Sequence, residues 1–352
     1  MLPVLIGIEG CSLTEDEIQC IQRVQPAGFI LFSRNVESVE QVRALTSHLR
    51  SLCFHHPIIA MDQEGGRVVR TGALDWFLPS AGAVQKFGNS QDISTFARLT
   101  AHGLRYLGVN LNMAPVLDIC YDETVNNALP SRCWGNNAQD VISNAGVFMR
   151  QHIYYGTSCC GKHFPGMGRA LCDPHFDLPR IDLSESELQV SDMLPFMALC
   201  PELPAVMTAH IMMPQFDDKW PVTLSPVILH RLLRDLIGYK GIVFTDDLCM
   251  GAITKLVSIS EACRLSWLAG CDIPLVCHDS LLYLDAITKV YQSIDDLERL
   301  TLEKRIERFT KTLMYPFVDN GVFWDELRKE SFTFCEKFQQ NATKNSSPVA
   351  NY

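Results

Sequence analysis

The chain has 352 residues, 47% of them hydrophobic, with a formal net charge of -10. That length exceeds one ordinary domain but suits an α/β barrel with insertions. The acidic balance excludes nucleic acid and an anionic membrane surface as main partners. Eight short apolar runs recur along the chain, each leading into a helical stretch. The first covers residues 4–8, and Thr14 then opens a helix, with Glu17 three residues on completing a capping box. The second run, 28–32, feeds a helix over 38–52. The third, 58–61, is separated by a glycine- and arginine-rich loop from a helix over 93–107. The fourth, 109–113, precedes a long loop with turn residues Asn126, Asn127, Pro130, Gly135 and Asn136, then a helix over 140–154. The fifth, 157–161, leads into a polar stretch over 162–175, after which Ser184 and Glu187 form a second capping box. The sixth is 205–209, and Ser225 before Pro226 starts the helix behind it. The seventh is 241–245. The eighth, 272–276, precedes a helix over 280–294, and a final amphipathic helix covers 296–313.

This alternation predicts a single (β/α)8 TIM-type barrel over residues 1–335, followed by a polar, disordered tail over 336–352. A doubly wound open sheet is the competing topology. It would carry a glycine-rich phosphate fingerprint after an early strand, and Gly7-Ile8-Glu9-Gly10 matches that poorly.

The fourteen cysteines include no C-x-x-C pair and no Cys/His cluster with metal-ligand spacing. Many lie in apolar runs, where a free thiol packs as a small hydrophobe, so a reducing compartment and no metal are expected. Residues 1–8 lack a basic segment and meet Glu9 at once, which makes a poor signal peptide. No apolar stretch is long enough to cross a bilayer. The sequons at Asn341 and Asn345 then read as chance matches in a polar tail, and the cytoplasm is the expected compartment.

Polar residues gather where the apolar runs end. Asp62 ends the third. Asp118 follows the fourth, with Arg132 in its loop. Lys162 and His163 end the fifth, His210 the sixth, and Asp246 and Asp247 the seventh, while His278 follows the eighth. In a barrel these ends share one face, where the βα loops converge. The mixed charge signs suit a neutral polyhydroxylated ligand such as a sugar, with no cofactor. Retaining hydrolysis of a glycoside needs a carboxylate nucleophile and a proton donor across the anomeric carbon. Asp246 or Asp247 can supply the first. Asp173 and His175, two residues apart, can supply the second, the carboxylate orienting the imidazole.

The same residues carry a resemblance. Gly28-Phe29-Ile30-Leu31-Phe32-Ser33-Arg34-Asn35, Asp62-Gln63-Glu64-Gly65-Gly66-Arg67, Ala114-Pro115-Val116-Leu117-Asp118, Lys162-His163-Phe164-Pro165-Gly166, Met207-Thr208-Ala209-His210 and Phe244-Thr245-Asp246-Asp247-Leu248 occur in this order. Together they resemble the glycoside hydrolase family 3 β-N-acetylglucosaminidases of bacterial peptidoglycan recycling. The resemblance implies a retaining mechanism through a covalent glycosyl-enzyme. It implies Asp246 as nucleophile, His175 as acid/base with Asp173 behind it, and sugar binding by Asp62, Arg132, Lys162 and His163. It also implies N-acetylglucosamine β-1,4-linked to 1,6-anhydro-N-acetylmuramic acid, with or without peptide, as substrate. Two departures stand out. Met167 replaces a histidine common in the family, and Pro174 sits inside the Asp-x-His pair, where proline biases Asp173 to extended backbone.

His210 is expected to support its neighbours by hydrogen bonds, Asp118 to anchor loop backbone, and Cys249 only to pack. His55 and His56 are expected at the surface, and the protein is expected to be a monomer. Two other functions compete: a phosphorylase on the same fold, whose histidine donor would not repel phosphate, and a non-catalytic muropeptide-binding protein.

Overall fold

The computed structural model describes residues 1–317 and 322–338, so residues 339–352 of the expected tail lie outside the described residues. Eight parallel strands close into one barrel in chain order. They are β1 (Leu2–Gly7), β2 (Pro26–Leu31), β3 (Ile58–Met61), β4 (Leu111–Asn112), β5 (Ser158–Phe164), β6 (Ala205–Thr208), β7 (Ile242–Asp247) and β8 (Ile273–Val276). Closure is made by β1 against β8, with Leu5 opposite Leu275 and Ile6 opposite Val276. Strands of such a barrel face side chains inside and helices outside, so they read as unbroken apolar runs. β1, β2, β3, β6 and β8 are buried along their whole length.

Local signals set the helix starts. Thr14 Oγ1 accepts from the backbone N–H of Glu17 at 3.2 Å, and Glu17 Oε2 accepts from the N–H of Thr14 at 2.8 Å. The second box, at Ser184 and Glu187, also forms, but its helix is only Glu185–Gln189. Ser225 caps Pro226–Ile228, after which the chain winds as a π-helix over Leu229–Leu236.

Three features depart from the expected elements. β4 is two residues long because asparagine side chains take over the ladder. Asn110 Oδ1 accepts from the N–H of Ile59 at 2.8 Å, and Asn112 Oδ1 from that of Gln63 at 3.0 Å. β5 and β7 run further than their apolar runs, so Lys162, His163, Asp246 and Asp247 lie on strands rather than beyond them. Helices at Ile259–Ala269 and Phe323–Glu336 extend the expected set. The second covers Trp76, whose Nε1–H donates to Ser331 Oγ at 2.9 Å. His55 and His56 are half-buried rather than on the surface, the ring of His56 lying 4.2 Å from that of Tyr315. None of the helices among the described residues is long and apolar enough to cross a membrane.

Candidate active site

The C-terminal strand ends surround one pocket. Asp62, Arg132, Lys162, His163, His175 and Asp246 all line it, although they are spread over nearly 200 residues. Asp173 and His210 stand directly behind, held to their neighbours by hydrogen bonds. His278 does not line the pocket; its ring packs against Phe32 at 5.9 Å, and Cys277 takes its place in the wall.

One side of the pocket is a charge network. Lys162, on β5, donates to Asp62 Oδ1 at 2.7 Å and to Glu64 Oε1 at 2.6 Å. Arg132 clamps Glu64 with two parallel bonds of 2.8 Å. Arg70 approaches Asp62 at 3.5 Å. Burial opposes the charge on Glu64, but Arg132 and Lys162 outweigh it and hold the carboxyl well below its ordinary value. Glu64 therefore sets the position of both cations, the shared-anion geometry that makes a buried pair tolerable. Glu64 and Arg70 were not singled out from sequence. The pattern Asp-x-Glu…Arg was visible, but pairings across 68 and 98 residues were not.

Asp246 lies on β7, partly open to the pocket, with Oδ1 accepting from the N–H of Asp247 at 2.8 Å. Burial would raise its pKa, but His163, His210 and His175 together hold it below the ordinary value. Asp247 behaves in the opposite way. Its Oδ1 accepts from the N–H groups of Cys249 at 3.0 Å and Cys277 at 3.2 Å, tying β7 to the end of β8. Burial pushes its carboxyl up to about 6, against those two hydrogen bonds. Both aspartates line the cavity, but Asp246 is held ionised at lower pH and is more open, while Asp247 is buried and serves as a backbone anchor.

That difference gives a pH prediction. A carboxyl whose folded pKa exceeds its unfolded value of 3.8 favours folding while protonated. The contribution is complete below about pH 4 and is lost as pH rises through about 6. Asp247→Asn keeps an oxygen for both backbone N–H groups and cannot ionise. Urea unfolding at pH 4.5 and pH 7.5 should therefore show a smaller stability loss for Asp247→Asn than for wild type, by at most about 3 kcal/mol. Equal losses in both proteins would refute the assignment.

Two Asp–His pairs flank Asp246. Asp118 Oδ2 meets His163 Nδ1 at 2.6 Å and accepts from the His163 N–H at 3.1 Å, while its Oδ1 accepts from the N–H of Met167 at 2.7 Å. Asp118 thus anchors loop backbone, as expected, and orients an imidazole besides. Asp173 Oδ1 meets His175 Nδ1 at 2.5 Å and accepts from the His175 N–H at 3.0 Å. Burial opposes ionisation of Asp173, and its bonds to His175 bring the carboxyl below its ordinary value. His210 is fully buried, its ring nitrogens 2.7 Å from Thr223 Oγ1 and 2.9 Å from the Asp247 carbonyl oxygen. Cys249, two residues after Asp247, is half-buried, and its Sγ donates to the His278 carbonyl oxygen at 3.7 Å.

The loop carrying His175 rests on the segment after β7. Gly251 N–H donates to the His175 carbonyl at 3.0 Å, and Ala252 N–H to that of Pro174 at 3.3 Å. A Cβ at position 251 would lie 2.7 Å from the Phe176 carbonyl oxygen, so this close approach requires glycine. Met167 and Pro174, the two departures, both line the pocket.

Comparison with known proteins agrees with this architecture. Residues 5–312 match the glycosyl hydrolase family 3 N-terminal domain. A β-hexosaminidase of Neisseria meningitidis serogroup B is 34% identical over 319 residues, covering 88% of this chain and 86% of the relative. The structure of a glycoside hydrolase family 3 β-N-acetylglucosaminidase from Paenibacillus superposes with a TM-score of 0.86 at 28% identity, covering 96% of this chain and 67% of that one. NagZ from Neisseria gonorrhoeae, solved in complex with N-trifluoroacetyl-D-glucosamine, does so with a TM-score of 0.78 at 30% identity, covering 94% and 97%.

Proposed function

The chain belongs to glycosyl hydrolase family 3, and from that premise we propose that it is a retaining exo-β-N-acetylglucosaminidase. Its substrate is a β-1,4-linked N-acetylglucosaminide of peptidoglycan origin, with 1,6-anhydro-N-acetylmuramic acid as leaving group. The observation that carries this reading is the shared pocket of Asp246 and His175, with Asp173 at 2.5 Å from the far nitrogen of His175. Asp246 attacks the anomeric carbon while His175 Nε2 protonates the departing oxygen. The positive imidazole formed or consumed at each step faces the Asp173 carboxylate. In the second half, His175 takes a proton from water, which releases the sugar from Asp246. Asp62, Lys162 and His163 at the strand ends, and Arg132 in the loop after β4 clamped by Glu64, hold the sugar hydroxyls and amide.

The names of the relatives support the acetamido sugar over a plain glucoside. The free state of all fourteen cysteines suits action in a reducing cytoplasm, and the protein acts as a monomer in this reading. Hydrolysis of p-nitrophenyl β-N-acetylglucosaminide and of the matching β-glucoside, with and without phosphate, tests it. Phosphate-independent cleavage of the acetamido sugar alone is expected. Equal cleavage of the glucoside, or release of sugar 1-phosphate, would overturn it.

A further inference from the structure

His175 sits on a loop and Asp246 on a strand, so the barrel alone does not fix their separation. Asp173 orients the imidazole but belongs to the same loop. A ring held only from within its loop would travel with it. Residues 174–177 are gripped from outside by the turn that follows β7. Gly251 N–H donates to the His175 carbonyl at 3.0 Å and Ala252 N–H to the Pro174 carbonyl at 3.3 Å. Lys255 Nζ donates to the Phe176 carbonyl at 2.6 Å and to Asp177 Oδ1 at 2.5 Å. Three consecutive loop carbonyls thus take donors from one short stretch, residues 251–255.

That stretch is itself tied to the strand carrying Asp246. Met250 N–H donates to the Asp247 carbonyl at 3.1 Å, and Cys249 N–H to the Asp247 carboxylate at 3.0 Å. Met250, Pro174 and His175 line the pocket together, so the grip lies in its wall. Gly251 is its tightest point. A Cβ there would lie 2.7 Å from the Phe176 carbonyl oxygen and 2.9 Å from that of His175. Both are backbone atoms, which no change of rotamer moves aside. The φ of Gly251 lies outside the left-handed region, so alanine would clash with the loop without straining its own backbone.

We propose that Gly251 and Lys255 are positioning residues: the turn after β7 grips the backbone around His175 and so sets the distance from the acid/base to Asp246. This rests on the roles given to His175 and Asp246 above. Misplacing a catalytic group by about 1 Å costs about 100-fold in rate. For a general acid, that loss falls on substrates whose leaving oxygen needs a proton. A turn that served only the stability of the fold would act on every substrate alike.

The test measures kcat/KM for N,N'-diacetylchitobiose and for p-nitrophenyl β-N-acetylglucosaminide, and the readout is their ratio. In Gly251→Ala the disaccharide value should fall about 10- to 100-fold, and the aryl value far less. Lys255→Met should shift the ratio in the same direction but less, and Lys255→Arg, which keeps a donor, should restore it; this pair carries the test if Gly251→Ala does not fold. Added to His175→Ala, Gly251→Ala should leave the ratio where His175→Ala put it, because both substitutions act through one group. Equal losses on both substrates in folded Gly251→Ala, an unchanged ratio in Lys255→Met where Gly251→Ala does not fold, or a full further shift on top of His175→Ala overturns the proposal. An unchanged ratio in His175→Ala itself overturns the acid/base reading, and this proposal with it.

Discussion

Asp246→Ala is expected to lower kcat on the aryl N-acetylglucosaminide by at least about 10^4-fold, the order seen when a covalent nucleophile is lost. The physical case rests on the contrast between two neighbours on one strand. Asp246 faces the pocket, and three imidazoles hold it ionised despite its burial. Asp247 spends one oxygen on the N–H groups of Cys249 and Cys277 and is pushed toward protonation at about pH 6. Both line the pocket, but Asp246 is the more open of the two and the more firmly ionised, while Asp247 is buried and its Oδ1 is committed to two backbone N–H groups. Alanine at 246 also opens room for a small external nucleophile. Added azide should then restore turnover and yield the α-glycosyl azide, because azide would attack from the face that Asp246 occupied. Recovery of a β-configured product, or wild-type rates without azide, would move the nucleophile elsewhere.

His175→Ala should separate substrates by their leaving groups. A positioned general acid contributes about 10^2- to 10^4-fold where the leaving oxygen needs a proton. A disaccharide, whose leaving alcohol is poor, should lose about 10^3-fold in kcat/KM. The p-nitrophenyl glycoside, whose leaving group departs as a stable anion, should lose about tenfold or less in the bond-breaking step. Asp173→Asn tests the partner. It keeps a hydrogen-bonding group near His175 Nδ1 but removes the charge at 2.5 Å, so it should reproduce the leaving-group dependence in weaker form. A His175→Ala protein that cleaves the disaccharide at the wild-type rate would remove His175 from the acid/base role.

Much of the architecture was open to reading because it is written in short-range patterns. The apolar run at 58–61 coincides with β3, and that at 28–32 lies within two residues of β2, since a strand buried on both faces tolerates little else. The capping boxes at Thr14 and Ser184 formed where the spacing placed them, because each needs only four neighbouring residues. Two helices escaped that reading. Ile259–Ala269 carries a comparable local mark, with Ser258 accepting from the Glu261 N–H and Gly270 closing it in the left-handed region, so it was legible in principle. Phe323–Glu336 buries only a few residues, chiefly Leu327, Ser331 and Phe334, and gains its place by covering Trp76.

The sequence by itself determined the alternation that closes the barrel, and with it which residues share the catalytic face. Chain order and strand polarity suffice for that, because every parallel strand must deliver its C-terminal end to the same side. Only the tertiary structure decided what each charge does there. Glu64 became the bridge between Arg132 and Lys162, and Asp247 became a backbone anchor beside Asp246. These outcomes depend on distances of 2.6–3.2 Å between groups tens to a hundred residues apart. They depend equally on how far burial strips water from each charge, which no local pattern of residue types encodes.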